Sequence, residues 1–295
     1  MKTAFYLLQT MRPKQWVKNG LLFAALFFDR KFHPKYLGDV LVTVGGFIVF
    51  CMLASTVYLV NDLSDLEADR QHPRKKYRPL PAGKLPPATA RIAALILPLL
   101  ALPAAWSLDP DRGFFIIALL YLFGNLAYSR WLKHIPLLDV LLLAGFYVLR
   151  VGAGVSLITV TRFSPWLYLF TTFLALYLGI GKRRAELSAM AENGGRTRRV
   201  LEGYTLPFLD QLLMLDSAMA LMTYSLYTFS APNLPENHAM MLTIPFVLYG
   251  VFRYLYLVQV RGVGEAPEEV LFEDRPMQLA IALWGFSVLL IFYIF

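Results

Sequence analysis

Apolar stretches long enough to cross a hydrocarbon core of roughly 30 Å recur along nearly the whole of this 295-residue chain, and they constrain its fold more than any other feature. Inside a bilayer each backbone N–H and C=O must find a partner within the protein, and successive spans of helical length meet that demand within themselves. About nine spans are expected: Gln15–Phe28, Tyr36–Val60, Ala88–Trp106, Phe114–Ser129, Pro136–Ile158, Pro165–Gly181, Thr205–Phe229, Ala239–Val260 and Met277–Phe295. The first and fourth are the shortest. With 57% hydrophobic and only 16% charged residues the chain lies outside the balance of a soluble domain. The expected fold is all-α and polytopic, a single membrane domain over residues 1–295.

The bias of basic residues among connections sets orientation. Lys2, Arg12, Lys14 and Lys18 lie at the N-terminus, Arg70 to Lys84 carries six more, and Lys182 to Arg199 another six. With nine alternating helices all three groups fall on one side, so the N-terminus is expected in the cytoplasm and the C-terminus outside, in a cell membrane. The opposite side is poorer, with Arg30, Lys31 and Lys35 as its main exceptions. A net charge of +8 then describes a basic face suited to anionic lipid and phosphorylated substrates, with no nucleic acid among the expected partners. The single cysteine, Cys51, lies inside a span and excludes an intrachain disulfide.

One segment breaks the apolar pattern. "NDLSDLEADRQHPRKKYRPLPAG", Asn61 to Gly83, holds four acids and six basic residues or histidine. If the second helix continues past Val60 at about 100° per residue, Asp62, Asp65 and Asp69 share one face and Glu67 points away. Like charges repel there, and the helix C-terminus adds its own partial negative charge, so the face calls for a cation. Mg²⁺ fits, because it takes a few carboxylate oxygens and completes its shell with water and phosphate oxygens. Asn61 could add an amide oxygen. Arg70, His72, Lys75 and Arg78 supply the complement of a diphosphate, and Lys18 joins them as a candidate phosphate contact.

The NDxxDxxxD spacing after a membrane helix resembles the first aspartate-rich motif of the UbiA-type prenyltransferase superfamily. That resemblance implies about nine helices around a cavity open to the cytoplasm, and Mg²⁺ that binds a prenyl diphosphate. The second family motif, DxxxD, is missing: "GKRRAELSAMAENGGRTRRVLEGYT" stands there instead. Together with "MRPKQWVKN", "YSRWLKHIPLLDV" and "GYTLPFLDQLL", this departure resembles the decaprenyl-phosphate phosphoribosyltransferase branch. The branch implies transfer of 5-phosphoribose from 5-phosphoribosyl 1-diphosphate to a polyprenyl phosphate, releasing diphosphate, for lipid-linked cell-wall precursors. The alternative keeps the fold but takes a prenyl diphosphate donor and an aromatic or other small acceptor. A transporter is a third class, which the clustering of acids at helix ends disfavours.

Neither a Ser, Cys nor His nucleophile constellation is needed for such chemistry, since a phosphate monoester is already ionised at neutral pH. Tyr128 and Lys133, in the connection after the fourth span, are candidate phosphate and ribose contacts. Asp139 and Arg150 are eleven residues apart on one helix, about 20° from eclipsed, and are expected to face a polar cavity. Asp139 would serve as a second metal-side carboxylate or a hydroxyl acceptor. Lys182, Arg183 and Glu186 occupy the place of the missing motif, with the two cations expected on phosphate; Tyr204 is a further substrate candidate. Nothing in the pattern fixes an oligomeric state.

Overall fold

In the computed structural model, residues 2–71, 75–160, 164–193, 199–231, 234–264, 270 and 273–294 are described, and all regular structure among them is helical. Residues 1–295 were expected as one domain; contacts group them into two units, Met1–Arg130 with Leu149–Thr161, and Trp131–Val148 with Arg162–Phe295.

The first unit opens with α1 (Lys2–Met11), a 3-10 helix over Pro13–Phe23 and the short α2 (Ala24–Phe28). The long helix α3 (Leu37–Ser64) follows, then α4 (Leu66–Gln71), α5 (Pro87–Leu108) and α6 (Gly113–Arg130). At 1.5 Å per residue α3 is about 42 Å long, longer than a hydrocarbon core, so its polar last turns can reach the headgroup level. Its Gly46, Val49, Phe50, Leu53, Ala54 and Val57, at helical spacing, form one buried face. Helices α1, α5 and α6 and the 3-10 segment pack against α3. Pro98 and Pro103 stand inside α5, a tolerance that membrane helices have because neighbours re-satisfy the freed carbonyls.

Helix α7 (Leu138–Leu157) contributes its first half to the second unit and its last turns to the first. The second unit continues with α8 (Pro165–Asn193), α9 (Leu206–Ser230), α10 (Ile244–Gln259) and α11 (Arg275–Ile294). Helix α9 packs on α8 and α10, and α10 on α11. Their shared core holds Tyr177, Leu209, Leu213, Val251, Tyr254 and Val258. Two buried tyrosine hydroxyls bridge helices: Tyr177 donates to the Val251 carbonyl at 2.8 Å, and Trp284 donates to the Tyr224 hydroxyl at 2.6 Å.

Seven helices among the described residues are long and apolar enough to cross a membrane, and they match seven of the expected spans with ends shifted by four residues or fewer. The two others differ in kind. Gln15–Phe28 is mostly 3-10 helix, with the short α2 after it. Pro165–Gly181 is the apolar part of α8, which runs on through Lys182, Arg183 and Arg184 without a break. Lys31, an apparent exception to the charge bias, is neutralised locally by Asp39 at 3.1 Å and Asp29 at 3.5 Å.

Close backbone approach fixes the 3-10 segment against α7. A Cβ on Gly154 would stand 2.0 Å from the Leu22 carbonyl oxygen, whereas one on Gly145 of the same helix meets nothing within 4 Å. Overpacking of this kind costs roughly 1–3 kcal/mol, while alanine for glycine in an open helix position gains up to about 1 kcal/mol. Thermal unfolding in detergent should therefore show Gly154→Ala melting several degrees below wild type and Gly145→Ala at or above it. Equal melting of the two variants would contradict the close approach.

Candidate active site

The acidic segment begins where α3 ends. Helix α3 stops at Ser64, Asp65 caps it with φ −94° and ψ 7°, and α4 resumes at Leu66. The irregularity is slight, since Asp65 N–H still bonds the Asn61 carbonyl at 2.9 Å and Asp69 N–H the Asp65 carbonyl at 2.8 Å. Asp62 and Asp69 therefore stay on one side, 3% and 2% exposed. Buried carboxylates at a helix end demand positive charge, and the structure supplies it. Arg78 Nη1 lies 2.8 Å from Asp69 and 3.3 Å from Asp62, Arg12 Nη2 lies 2.6 Å from Asp62, and Lys75 Nζ lies 3.6 Å from Asp69. Glu67 points away, paired with Arg70 in solvent at 2.7 Å. The Asp65 side chain makes no hydrogen bond or ion pair among the described residues, and the residue is half-buried.

Two anchors hold these cations. Leu80 and Leu85 are buried against Leu59, Ala90 and Ala94, beside Met11 and Leu63, and between them Gly83 turns the chain at φ +71°. That packing pins the loop that starts with Arg78. Arg12 is fixed by the turn from α1 into the 3-10 helix, where it adopts φ 57° and ψ 62°, uncommon for any residue other than glycine. Its guanidinium also stacks 4.7 Å from the centre of the Tyr58 ring. Next to this turn, Trp16 donates to Ser55 Oγ at 3.1 Å.

A second charged cluster lies in the other unit. Arg183, 1% exposed, reaches Asp139 with Nε at 2.6 Å and Glu186 with Nη1 at 2.7 Å. Tyr204 donates to the remaining Asp139 oxygen at 2.6 Å and accepts from Leu137 N–H at 2.6 Å. The next residue, Arg184, bonds Asp210 at 3.0 Å, and Gln259 bonds the same oxygen at 3.0 Å. Arg150, expected to face a cavity with Asp139, has partners of its own: Asn19 Oδ1 at 2.9 Å and the Tyr121 hydroxyl at 2.8 Å. Asn19 in turn contacts Cys51 Sγ at 3.4 Å. Lys18, Asn61, Tyr128, Lys133 and Lys182 are each half-buried. Of the expected site residues only His72 falls outside the described ones.

The model of the UbiA prenyltransferase family matches residues 21–272. The chain belongs to that family. Among the relatives similar to this UbiA member is the decaprenyl-phosphate phosphoribosyltransferase of Mycobacterium tuberculosis, 34% identical over 278 residues that cover 94% of this chain and 90% of that one. The enzyme of the same name from Corynebacterium glutamicum is 32% identical, covering 98% and 87%. A UbiA homologue from Archaeoglobus fulgidus, solved bound to GPP and Mg²⁺, superposes with a TM-score of 0.71 at 21% identity, covering 98% and 99% of the two chains. The fold is thus the all-helical UbiA fold, and the protein is a multi-pass membrane protein.

Membership of the family implies a divalent cation, and the first cluster suits one. Its donor set is hard carboxylate oxygen, and Asp62 and Asp69 already converge on a single cationic group, Arg78. As they stand, no three His, Cys, Asp or Glu side chains among the described residues are grouped to hold an ion. An incoming ion would meet carboxylates already paired with Arg78 and Arg12.

Sequence reasoning missed Arg12, Asn19 and Tyr121. Arg12 was absorbed into the positive-inside bias, although its place directly before Pro13 marks a forced turn. Asp216, buried in the middle of α9 with no partner among the described residues, also escaped; a carboxylate within an apolar span was the available signal.

The Tyr204 phenol is held above its ordinary value, first by burial and then by its bond to the Asp139 carboxylate. A raised folded value means a stability contribution that is intact below the unfolded phenol value of about 10 and lost as pH rises beyond it. Wild type should therefore lose stability above about pH 10 more steeply than Tyr204→Phe. Tyr204→Phe should also be destabilised by about 1–3 kcal/mol at pH 7, through the unpaired Asp139 oxygen. Parallel pH–stability curves would contradict this bond.

Proposed function

We propose that the protein transfers 5-phosphoribose from 5-phosphoribosyl 1-diphosphate to the phosphate of a polyprenyl phosphate and releases diphosphate. The observation that carries this reading is the convergence of the buried Asp62 and Asp69 on Arg78, flanked by Arg12 and Lys75. Carboxylates and partly exposed cations meet there at a helix end, as a metal diphosphate requires. The two enzymes named as decaprenyl-phosphate phosphoribosyltransferases, similar over nearly the whole chain, support the choice of donor and acceptor.

In the proposed reaction an acceptor phosphate oxygen bonds the anomeric carbon as the bond from that carbon to the diphosphate oxygen breaks. The electron pair leaves with diphosphate, and the chain's task is to stabilise that charge and aim the nucleophile. Asp62, Asp65 and Asp69 would hold Mg²⁺, which when bound takes up part of the leaving group's negative charge. Arg12, Arg78 and Lys75 are assigned to diphosphate oxygens once the carboxylates turn to the ion. Lys133 and Lys182 are assigned to phosphate groups. No side chain is needed as a base, since the acceptor is already an anion.

The basic residues beside the acidic segment favour an inward-facing site with the N-terminus in the cytoplasm, so the water-soluble donor enters from that side. The acceptor's tail gains about 0.8 kcal/mol for each CH₂ kept in hydrocarbon, so it reaches the site laterally from the membrane.

Sealed vesicles of known orientation, given labelled donor and polyprenyl phosphate, should pass label into the lipid fraction only when donor is added on the N-terminal side. Labelled prenyl diphosphate with an aromatic acceptor should give no product. Asp62→Asn or Asp69→Asn should lower turnover at least ~100-fold, about 2.7 kcal/mol, and Glu67→Ala should leave it near wild type. Equal losses at Glu67 and Asp62, or transfer of the prenyl group instead, would overturn the proposal.

A further inference from the structure

Each charged cluster sets two carboxylates around a shared guanidinium, and the exposure of that cation separates them. At Asp62 and Asp69 the cations stand at the water's edge: the side chains of Arg12, Arg78 and Lys75 are 31%, 34% and 42% exposed. Long side chains so placed can swing into solvent, and an ion that keeps several of its own waters can take their place. At Asp139 and Glu186 the guanidinium comes from the body of α8, Arg183 is 1% exposed, and Asp139 is fully buried. Both oxygens of Asp139 are engaged, one by Arg183 Nε and one by the Tyr204 hydroxyl. A hydrated ion finds neither room for its water nor a free carboxylate oxygen on Asp139.

We infer that Arg183 is a resident counterion that permanently fills, between Asp139 and Glu186, a place a divalent ion would otherwise occupy. Two carboxylates from successive helices brought onto one cationic group are the makings of a cation site, and here the cation is covalently part of the chain. Its charge neutralises one of the two acids and its planar fork sets their spacing. Taken with the ion proposed at Asp62 and Asp69, on which this clause rests, the chain then binds one divalent ion. Arg183 is in this view a positioning residue, fixing α7 against α8, and leaves phosphate contacts on α8 to Lys182.

The test counts ions rather than turnover. Mn²⁺ is titrated into purified protein in detergent with inorganic diphosphate present, and bound ions are counted at dialysis equilibrium from the excess of manganese in the protein compartment over the protein-free one. Wild type and Arg183→Lys should bind one, and Arg183→Met should bind one more than wild type, with a melting temperature that rises on adding Mn²⁺. A folded Arg183→Met with no additional ion would overturn the inference. If that variant does not fold, Asp139→Asn decides: a count equal to wild type supports a resident counterion, and a count lower by one overturns it. Absence of any ion from wild type would instead sink the metal site at Asp62 and Asp69, leaving the gain in Arg183→Met to judge Arg183 by itself.

Discussion

Two carboxylates removed from water, one in the last turn of a 28-residue helix and one in the short helix that follows it, call for positive charge beside them. Much of the first unit can be understood as supplying it. Helix α1 packs on α3 and delivers Arg12 through a left-handed turn. The loop after α4 is nailed down by Leu80 and Leu85 and delivers Arg78. The apolar core thus serves the polar site directly: without buried leucines at both ends of "LPAGKL", Arg78 would have no fixed origin.

The second unit solves the same electrostatic problem in another way. Asp139 near the start of α7 and Glu186 of α8 share a guanidinium that lies in sequence between them, three residues before Glu186. Tyr204, from the segment before α9, closes the last acceptor. Exchangeable cations suit a site that must accept and release a charged ligand; a locked one suits a scaffold.

Spans were legible in the sequence because transfer to hydrocarbon depends on composition over a window, and the ends of α5, α6 and α9 came out within two residues. The 3-10 form of Pro13–Phe23 was not, because hydropathy encodes apolarity and says nothing of which carbonyl each N–H finds. The separation of Asp62 and Asp69 from Glu67 followed from the 100° step alone and survived the cap at Asp65. Partners distant in sequence were beyond reach: the bonds of Arg12 to Asp62, of Arg150 to Asn19 and of Arg183 to Asp139 cross 50, 131 and 44 positions. A lone basic residue near a membrane is most often an anchor, and only its fold reveals a buried acid beside it.

The central claim is that Asp62 and Asp69 form a cation-mediated diphosphate site. Equilibrium binding of 5-phosphoribosyl 1-diphosphate tests it most directly, measured with and without Mg²⁺ on wild type and on the Asp62→Asn, Asp69→Asn double variant. The account predicts that Mg²⁺ tightens binding to wild type by at least ~10-fold, about 1.4 kcal/mol, and does nothing for the double variant. The same Mg²⁺ dependence in both proteins would contradict it.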